Sequence, residues 1–99
     1  MAEVIWAVHA YEHMEEIAKY IEKDSPFQAR RVVQLIIKET RRLAVNQRIG
    51  RITPEINQDA YRELHVFSYR VLYKIETEDK VAIVGIVHAR RLLKPDMLG

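Results

Sequence analysis

The hydrophobic positions of this chain change period twice along its length. Val4, Ile5, Trp6 and Val8 follow Glu3 as a near-continuous apolar run and predict a short strand over 3–8. Ala10, Met14, Ile17, Ala18 and Ile21 then recur at three-to-four spacing, one face of an amphipathic helix over about 10–23. Its acids Glu12, Glu15 and Glu16 fall early, where the helix dipole favours negative charge. Ser25-Pro26-Phe27-Gln28 reads as an N-cap serine, a proline at the first helical position and a glutamine at the third, the pattern of a capping box. A second helix therefore starts there, and its stripe of Ala29, Val32, Val33, Ile36, Thr40 and Leu43 carries it to near Asn46. So short a link at Asp24-Ser25 folds the two helices into an antiparallel hairpin.

Beyond Asn46 the helical period is lost. Residues 47–60 contain Gly50, Pro54, Asn57 and Asp59 and predict a loop, with a short strand near Arg51 and Ile52. Proline-free segments rich in β-branched and aromatic residues follow, predicting strands over 61–67, 69–76 and 80–88. A tight turn at Thr77-Glu78-Asp79-Lys80 joins the last two. The order of elements gives an α+β fold in one domain over residues 1–99. It consists of an N-terminal strand and an antiparallel helical hairpin packed on one face of a small, mostly antiparallel sheet.

Composition narrows the chemistry. With 99 residues there is one core and no cleft between domains, so a reactive site is expected on an open face. The absence of cysteine removes thiolate metal sites and cysteine nucleophiles and fits a reducing cytosol. The longest apolar run, Val81 to Val87, is too short to span a bilayer, and Glu3 stands where a signal peptide would be basic, so a cytoplasmic protein is expected. The net charge of +2 is unevenly spread. Residues 1–24 carry six acids and two bases, whereas residues 25–75 carry ten bases and four acids. An arginine-rich middle suits an acidic partner, although Arg30, Arg31, Lys38, Arg41 and Arg42 also read as a solvated helix face.

The strands hold the candidate chemistry. Arg62, Arg70 and Arg90 interrupt β-rich segments, and guanidinium groups clamp phosphate or carboxylate without acting as bases. Arg70 and Arg90 share a face if the hairpin turn between their strands has an odd residue count and oppose if it is even; the sequence leaves both open. Glu63, His65 and His88 are the weaker acid or base candidates, with pairing of Glu63 to an arginine and capping of the strand by His88 as the plainer readings. His9-Ala10-Tyr11-Glu12-His13 matches the H-x-x-E-H zinc signature, but it sits at the first turn of a surface helix without an evident third ligand and reads as a chance match. Trp6, Tyr11 and Tyr20 are expected to be packing residues. No Gly-rich phosphate loop and no Gly-x-Ser-x-Gly turn is present, and no cofactor or metal is expected.

Taken in order, Val4-Ile5-Trp6, Ala18-Lys19-Tyr20-Ile21, Ser25-Pro26 with Ala29-Arg30, Gly50-Arg51, Glu55, Arg62-Glu63-Leu64, Tyr69 to Ile75, Val84 to Val87 and His88-Ala89-Arg90-Arg91 resemble the RelE/ParE superfamily, the toxins of type II toxin–antitoxin modules. The resemblance implies a helical hairpin on a small sheet, in agreement with the pattern above. In the RelE branch it implies ribosome-dependent cleavage of mRNA by a basic site. Arg70 and Arg90 fall at positions similar to two of that site's arginines and Arg62 at one of its lysines, but Leu92 to Gly99 offers no tyrosine of the kind that branch often uses. Gly50-Arg51, Arg62-Glu63-Leu64 and His88-x-Arg90-Arg91 look more like the ParE branch, which implies growth inhibition by binding DNA gyrase, in a plasmid-stabilisation type of module. The favoured expectation is thus a non-enzymatic toxin whose Arg62, Arg70, Arg90 and Arg91 contact the target. The alternative is an endoribonuclease in which the arginines hold the scissile phosphate and Glu63 or His88 moves the proton. Either implies a cognate antitoxin with an acidic or amphipathic C-terminal segment that folds onto the hairpin and the basic sheet face.

Overall fold

The computed structural model describes residues 1–91 and 93. A strand β1 (Glu3–Trp6) runs directly into helix α1 (Val8–Glu22), followed by α2 (Pro26–Arg41) and a 3-10 turn over Arg42–Ala44. Strands β2 (Arg51–Ile52), β3 (Tyr61–Val66), β4 (Tyr69–Thr77) and β5 (Lys80–His88) complete the described chain. The sheet has the order β1-β5-β4-β3-β2, with β1 parallel to β5 and every other pair antiparallel. The α+β architecture expected from the hydrophobic pattern is the one observed.

Several boundaries moved for local reasons. The Ala7 N–H donates to Ile83 O at 2.9 Å, which ends β1, and the Ala7 carbonyl already accepts from Tyr11 N at 3.1 Å. The first helix therefore begins at Val8, two residues earlier than its apolar stripe indicated, and its first turn holds no acid. Glu12, Glu15 and Glu16 lie too far along to complement the dipole in the way the sequence implied. The second helix starts as written: Ser25 Oγ accepts from Gln28 N at 3.1 Å. Only half of the capping box forms, because the Ser25 N–H donates instead to Ile21 O at the end of α1. The helix stops at Arg41 and tightens into the 3-10 turn rather than reaching Asn46. Phe67 adopts φ 52°, and Val66 pairs with Tyr69, so β3 ends one residue early in a two-residue hairpin turn.

α1 lies against β5 and α2 against β3. The core between them is built from Ala10 and Met14 of α1, Val32 and Ile36 of α2, Leu43, and Val66, Val71, Tyr73, Val81, Ile83 and Ile86 of the sheet. Trp6 packs against this cluster as expected, but Tyr11 and Tyr20 are solvent-facing at 54% and 69% exposure. Their helical spacing put them beside the apolar stripe, not in it.

Candidate functional site

Strand alternation separates two of the candidate arginines. Arg62 pairs across the ladder with Tyr73, whose ring is part of the core between helices and sheet, whereas Arg70 pairs with His65 and Val87 and so projects to the other face. Arg62 and Arg70 do not converge. Arg90 lies past the end of β5 in a turn, so the question of odd or even register no longer applies to it.

Arg62 holds the 47–60 loop. Its Nε donates to Asp59 O at 2.9 Å, Nη2 to Asp59 Oδ1 at 2.7 Å and Nη1 to Gly50 O at 2.9 Å. Arg48 reaches the other Asp59 oxygen at 2.7 Å, and the two guanidiniums hold the Asp59 carboxyl below its ordinary pKa. Beneath them the buried Tyr73 hydroxyl donates to Gln47 O at 2.7 Å and accepts from Gly50 N at 3.0 Å. Burial raises the pKa of that phenol. Gly50 is required by closeness: a Cβ there would sit 2.6 Å from Glu63 O and 2.7 Å from the Tyr73 hydroxyl.

Arg70 occupies a different environment. It is 4% exposed, and all five of its N–H donors are taken. Nε is shared between the Glu63 oxygens at 3.1 and 3.2 Å, and Nη2 donates to Glu63 Oε1 and Glu55 Oε1, both at 2.6 Å. Nη1 donates to Glu55 Oε2 at 2.7 Å and to the Arg91 carbonyl at 3.0 Å. The carboxylates are held in turn. Glu63, 1% exposed, also accepts from Arg51 Nε at 3.0 Å and lies 2.6 Å from His65 Nε2. Burial alone would raise the Glu63 pKa and is the largest single influence, but hydrogen bonds from Arg70, His65 and Arg51 outweigh it and leave the carboxyl below its ordinary value. Glu55 is placed by a turn in which Thr53 O accepts from Ile56 N and Asn57 N at 3.1 and 2.8 Å, with Pro54 at the second position and Asn57 at φ 53°. The Arg70 hydrogen bonds lower its pKa to about 2. Four side chains thus form a closed, charge-balanced cage of Arg51, Arg70, Glu55 and Glu63.

This cage corrects one expectation and favours the plainer reading of another. The face carrying Arg70 is not an open cationic site, because burying a guanidinium requires partners and this chain supplies two carboxylates. Glu63 is paired with arginine, the plainer of its two readings, and is sealed from solvent. Glu55 was the participant that sequence reasoning missed as a site residue: it lies in a loop and its partner is fifteen positions away. His88 also takes its plainer role, Nδ1 accepting from Arg90 N at 3.2 Å at the strand end.

Arg90 and Arg91 are the exposed members of the set. Beside them, between α1 and the end of β5, lies a groove of about 560 Å³. Ile17 and Tyr20 line one wall, Tyr69 and Ile86 another, and His88 and Arg91 the rim. His9 and His13 of the zinc-like signature also border this groove, but His13 Nδ1 accepts from Ile86 N at 3.2 Å. Among the described residues no group of three His, Asp or Glu side chains is arranged to hold a metal ion. No helix of the described chain is long and apolar enough to cross a membrane.

Residues 4–93 match the family described as ParE toxin of type II toxin-antitoxin system, parDE. A solved structure titled as the chromosomal ParDE TA system from P. aeruginosa superposes with a TM-score of 0.74 at 20% identity, covering 91% of this chain and 98% of that one. A search of curated protein sequences returned no match.

Proposed function

Because the chain belongs to the ParE toxin family of type II toxin–antitoxin systems, we propose that it stops bacterial growth by binding DNA gyrase through the surface around Arg90 and Arg91, without catalysing a reaction, until a cognate antitoxin covers it. The observation that carries this reading is the Arg70 cage. A ribonuclease site on this face would need guanidinium donors aimed at a scissile phosphate, and Arg70 has none left to offer. Glu55 and Glu63 already neutralise Arg70 and Arg51, so the cage presents no net positive charge to a phosphate. On this side of the molecule Arg90 and Arg91 are exposed beside Arg51, whose guanidinium is committed to Glu63, with Arg62 and Arg70 holding the framework behind them.

An antitoxin partner follows from the family, and the helical hairpin offers it apolar surface. Phe27 is 63% exposed. One groove of about 380 Å³ runs between the helices past Ala18, Pro26, Ala29 and Val33, and another of about 390 Å³ borders Trp6, Tyr11, Met14 and Ile37. These surfaces suit an amphipathic segment that folds on binding, with acidic residues facing the basic side of α2. The setting of all these partners is the bacterial cytoplasm.

The test adds purified chain to a gyrase supercoiling assay and, separately, to ribosomes translating a defined mRNA. Blocked supercoiling with intact mRNA is the expected result. Cleaved mRNA with normal supercoiling would replace this reading with the ribosome-dependent endoribonuclease.

A further inference from the structure

We propose that the groove between α1 and the end of β5 receives a peptide segment of the poisoned protein that carries one carboxylate, with a large apolar side chain between the two helix and strand walls and that carboxylate on Arg91. The proposal rests on the toxin reading above and adds the surface and the chemistry of what it binds. The groove volume of about 560 Å³ lies in the range of cavities that accept a ligand. Its lining is apolar and aromatic at Ile17, Tyr20, Tyr69 and Ile86, and the exposed Arg91 adds a cation. Glu16 stands on the α1 wall. With Glu12 exposed one turn before it on the same helix, that wall repels a polyanion, so a nucleic acid strand is disfavoured. A peptide carrying a single carboxylate avoids the acidic wall by directing its charge to Arg91, which fixes its direction in the groove.

The cage on the other side of the sheet explains why Arg91 is an effective anchor. Ala89 N donates to Ser68 O at 2.7 Å and Arg91 N to His88 O at 2.9 Å. The Arg91 carbonyl accepts from Arg70, and Leu93 N donates to Glu55 Oε2 at 3.1 Å. Main chain on both sides of Arg91 is therefore tied to the cage, to the end of β5 or to the turn between β3 and β4, and its side chain leaves from a fixed point toward the groove. Such preorganisation lowers the entropy lost on binding. Arg70 and Glu55 act here as positioning residues.

The experiment induces wild type, Arg91→Glu, Arg91→Lys, Tyr20→Asp and Lys38→Glu without antitoxin, measures growth arrest, and repeats the series as purified folded proteins against gyrase. Arg91→Glu should weaken arrest at least about tenfold, the loss expected for one charge-assisted hydrogen bond. Tyr20→Asp should also weaken it, Arg91→Lys should stay within a few fold of wild type, and Lys38→Glu, on the exposed side of α2, should match wild type. Full activity in both Arg91→Glu and Tyr20→Asp would overturn the groove. Equal losses in Arg91→Glu and Lys38→Glu would also overturn it, since general positive charge, as for nucleic acid, would then be the driving force. If wild type arrests growth yet leaves gyrase untouched, the gyrase reading falls while the ranking of variants still decides the groove. Absence of arrest by wild type would overturn both.

Discussion

Arg70 and Arg91 are joined by a hydrogen bond from one guanidinium to the other's carbonyl, yet they occupy opposite electrostatic regimes. Arg70 is buried with every donor matched by a carboxylate or carbonyl, while Arg91 is exposed at the rim of an apolar groove. A charge in the first setting serves the fold, because the desolvation that makes it costly also locks it to its partners. A charge in the second costs the fold almost nothing and remains available to a partner. The sharpest way to break this contrast is Arg70→Ala. It leaves Glu63 buried without its main counter-charge and should destabilise the protein by about 3–5 kcal/mol in urea unfolding. Growth inhibition would be lost with the fold, so that loss alone would not identify a target contact. A variant of wild-type stability would mean that the cage is an incidental surface network.

The next largest effect is expected on the other side of β3, where Arg62 and Tyr73 organise the 47–60 loop. Gly50→Ala places a methyl within 2.8 Å of the Glu63 carbonyl oxygen, a Tyr73 ring carbon and the hydrogen-bonded Tyr73 hydroxyl. Overpacking of this kind costs about 1–3 kcal/mol. The lowered urea midpoint should be accompanied by an altered Tyr73 environment, measured by near-ultraviolet circular dichroism.

The difference between the two arginines was not written in their own sequence surroundings. The helices, β3 to β5 and the core were legible because period and capping act over a few residues: Ala29, Val32, Ile36 and Thr40 declare their face within one helix. The start of α1 was less legible, since it is decided by the bond from Ala7 to Ile83, far away in the chain. The exposure of Tyr11 and Tyr20 was missed because they flank the stripe. For the site, residue type pointed to Arg70, Arg90 and Arg91, but their roles depended on long-range placement. Glu55 reaches Arg70 only because the Thr53–Asn57 turn folds over the sheet, and a single sequence holds no local signal for that contact. The pairing of Arg62 with Tyr73 and of Arg70 with His65 follows from alternation once the hairpin turn is known, and that turn was shifted by one residue at Phe67.

The cage also makes a pH prediction that the groove does not share. Glu55 has a pKa of about 2 in the folded chain against an ordinary 4.5, owing first to the hydrogen bonds from Arg70. Its folded value is the lower one, so its contribution to stability is complete above about pH 4.5 and is lost as the pH falls through that interval toward 2. Solvent screening of this partly exposed carboxylate limits the effect to on the order of 1–2 kcal/mol. Urea midpoints of wild type and Glu55→Gln should differ most at neutral pH and converge near pH 2. A constant difference across that range would remove Glu55 from the cage energetics.

The smallest stability change is expected where the functional change is largest. Arg91 lends its backbone carbonyl to Arg70 and its side chain to the groove, and Arg91→Ala removes only the second. Its urea midpoint should correspond to within about 0.5 kcal/mol of wild type, as for other exposed side chains without buried partners. Growth arrest should nevertheless weaken. Arg70→Ala and Arg91→Ala then separate along two axes: the first loses activity in proportion to its unfolded fraction, the second loses it while fully folded. If Arg91→Ala proved as unstable as Arg70→Ala, the two arginines would belong to one structural cluster. The surface around Arg90 and Arg91 would then have no claim to be the part of the toxin that meets its target.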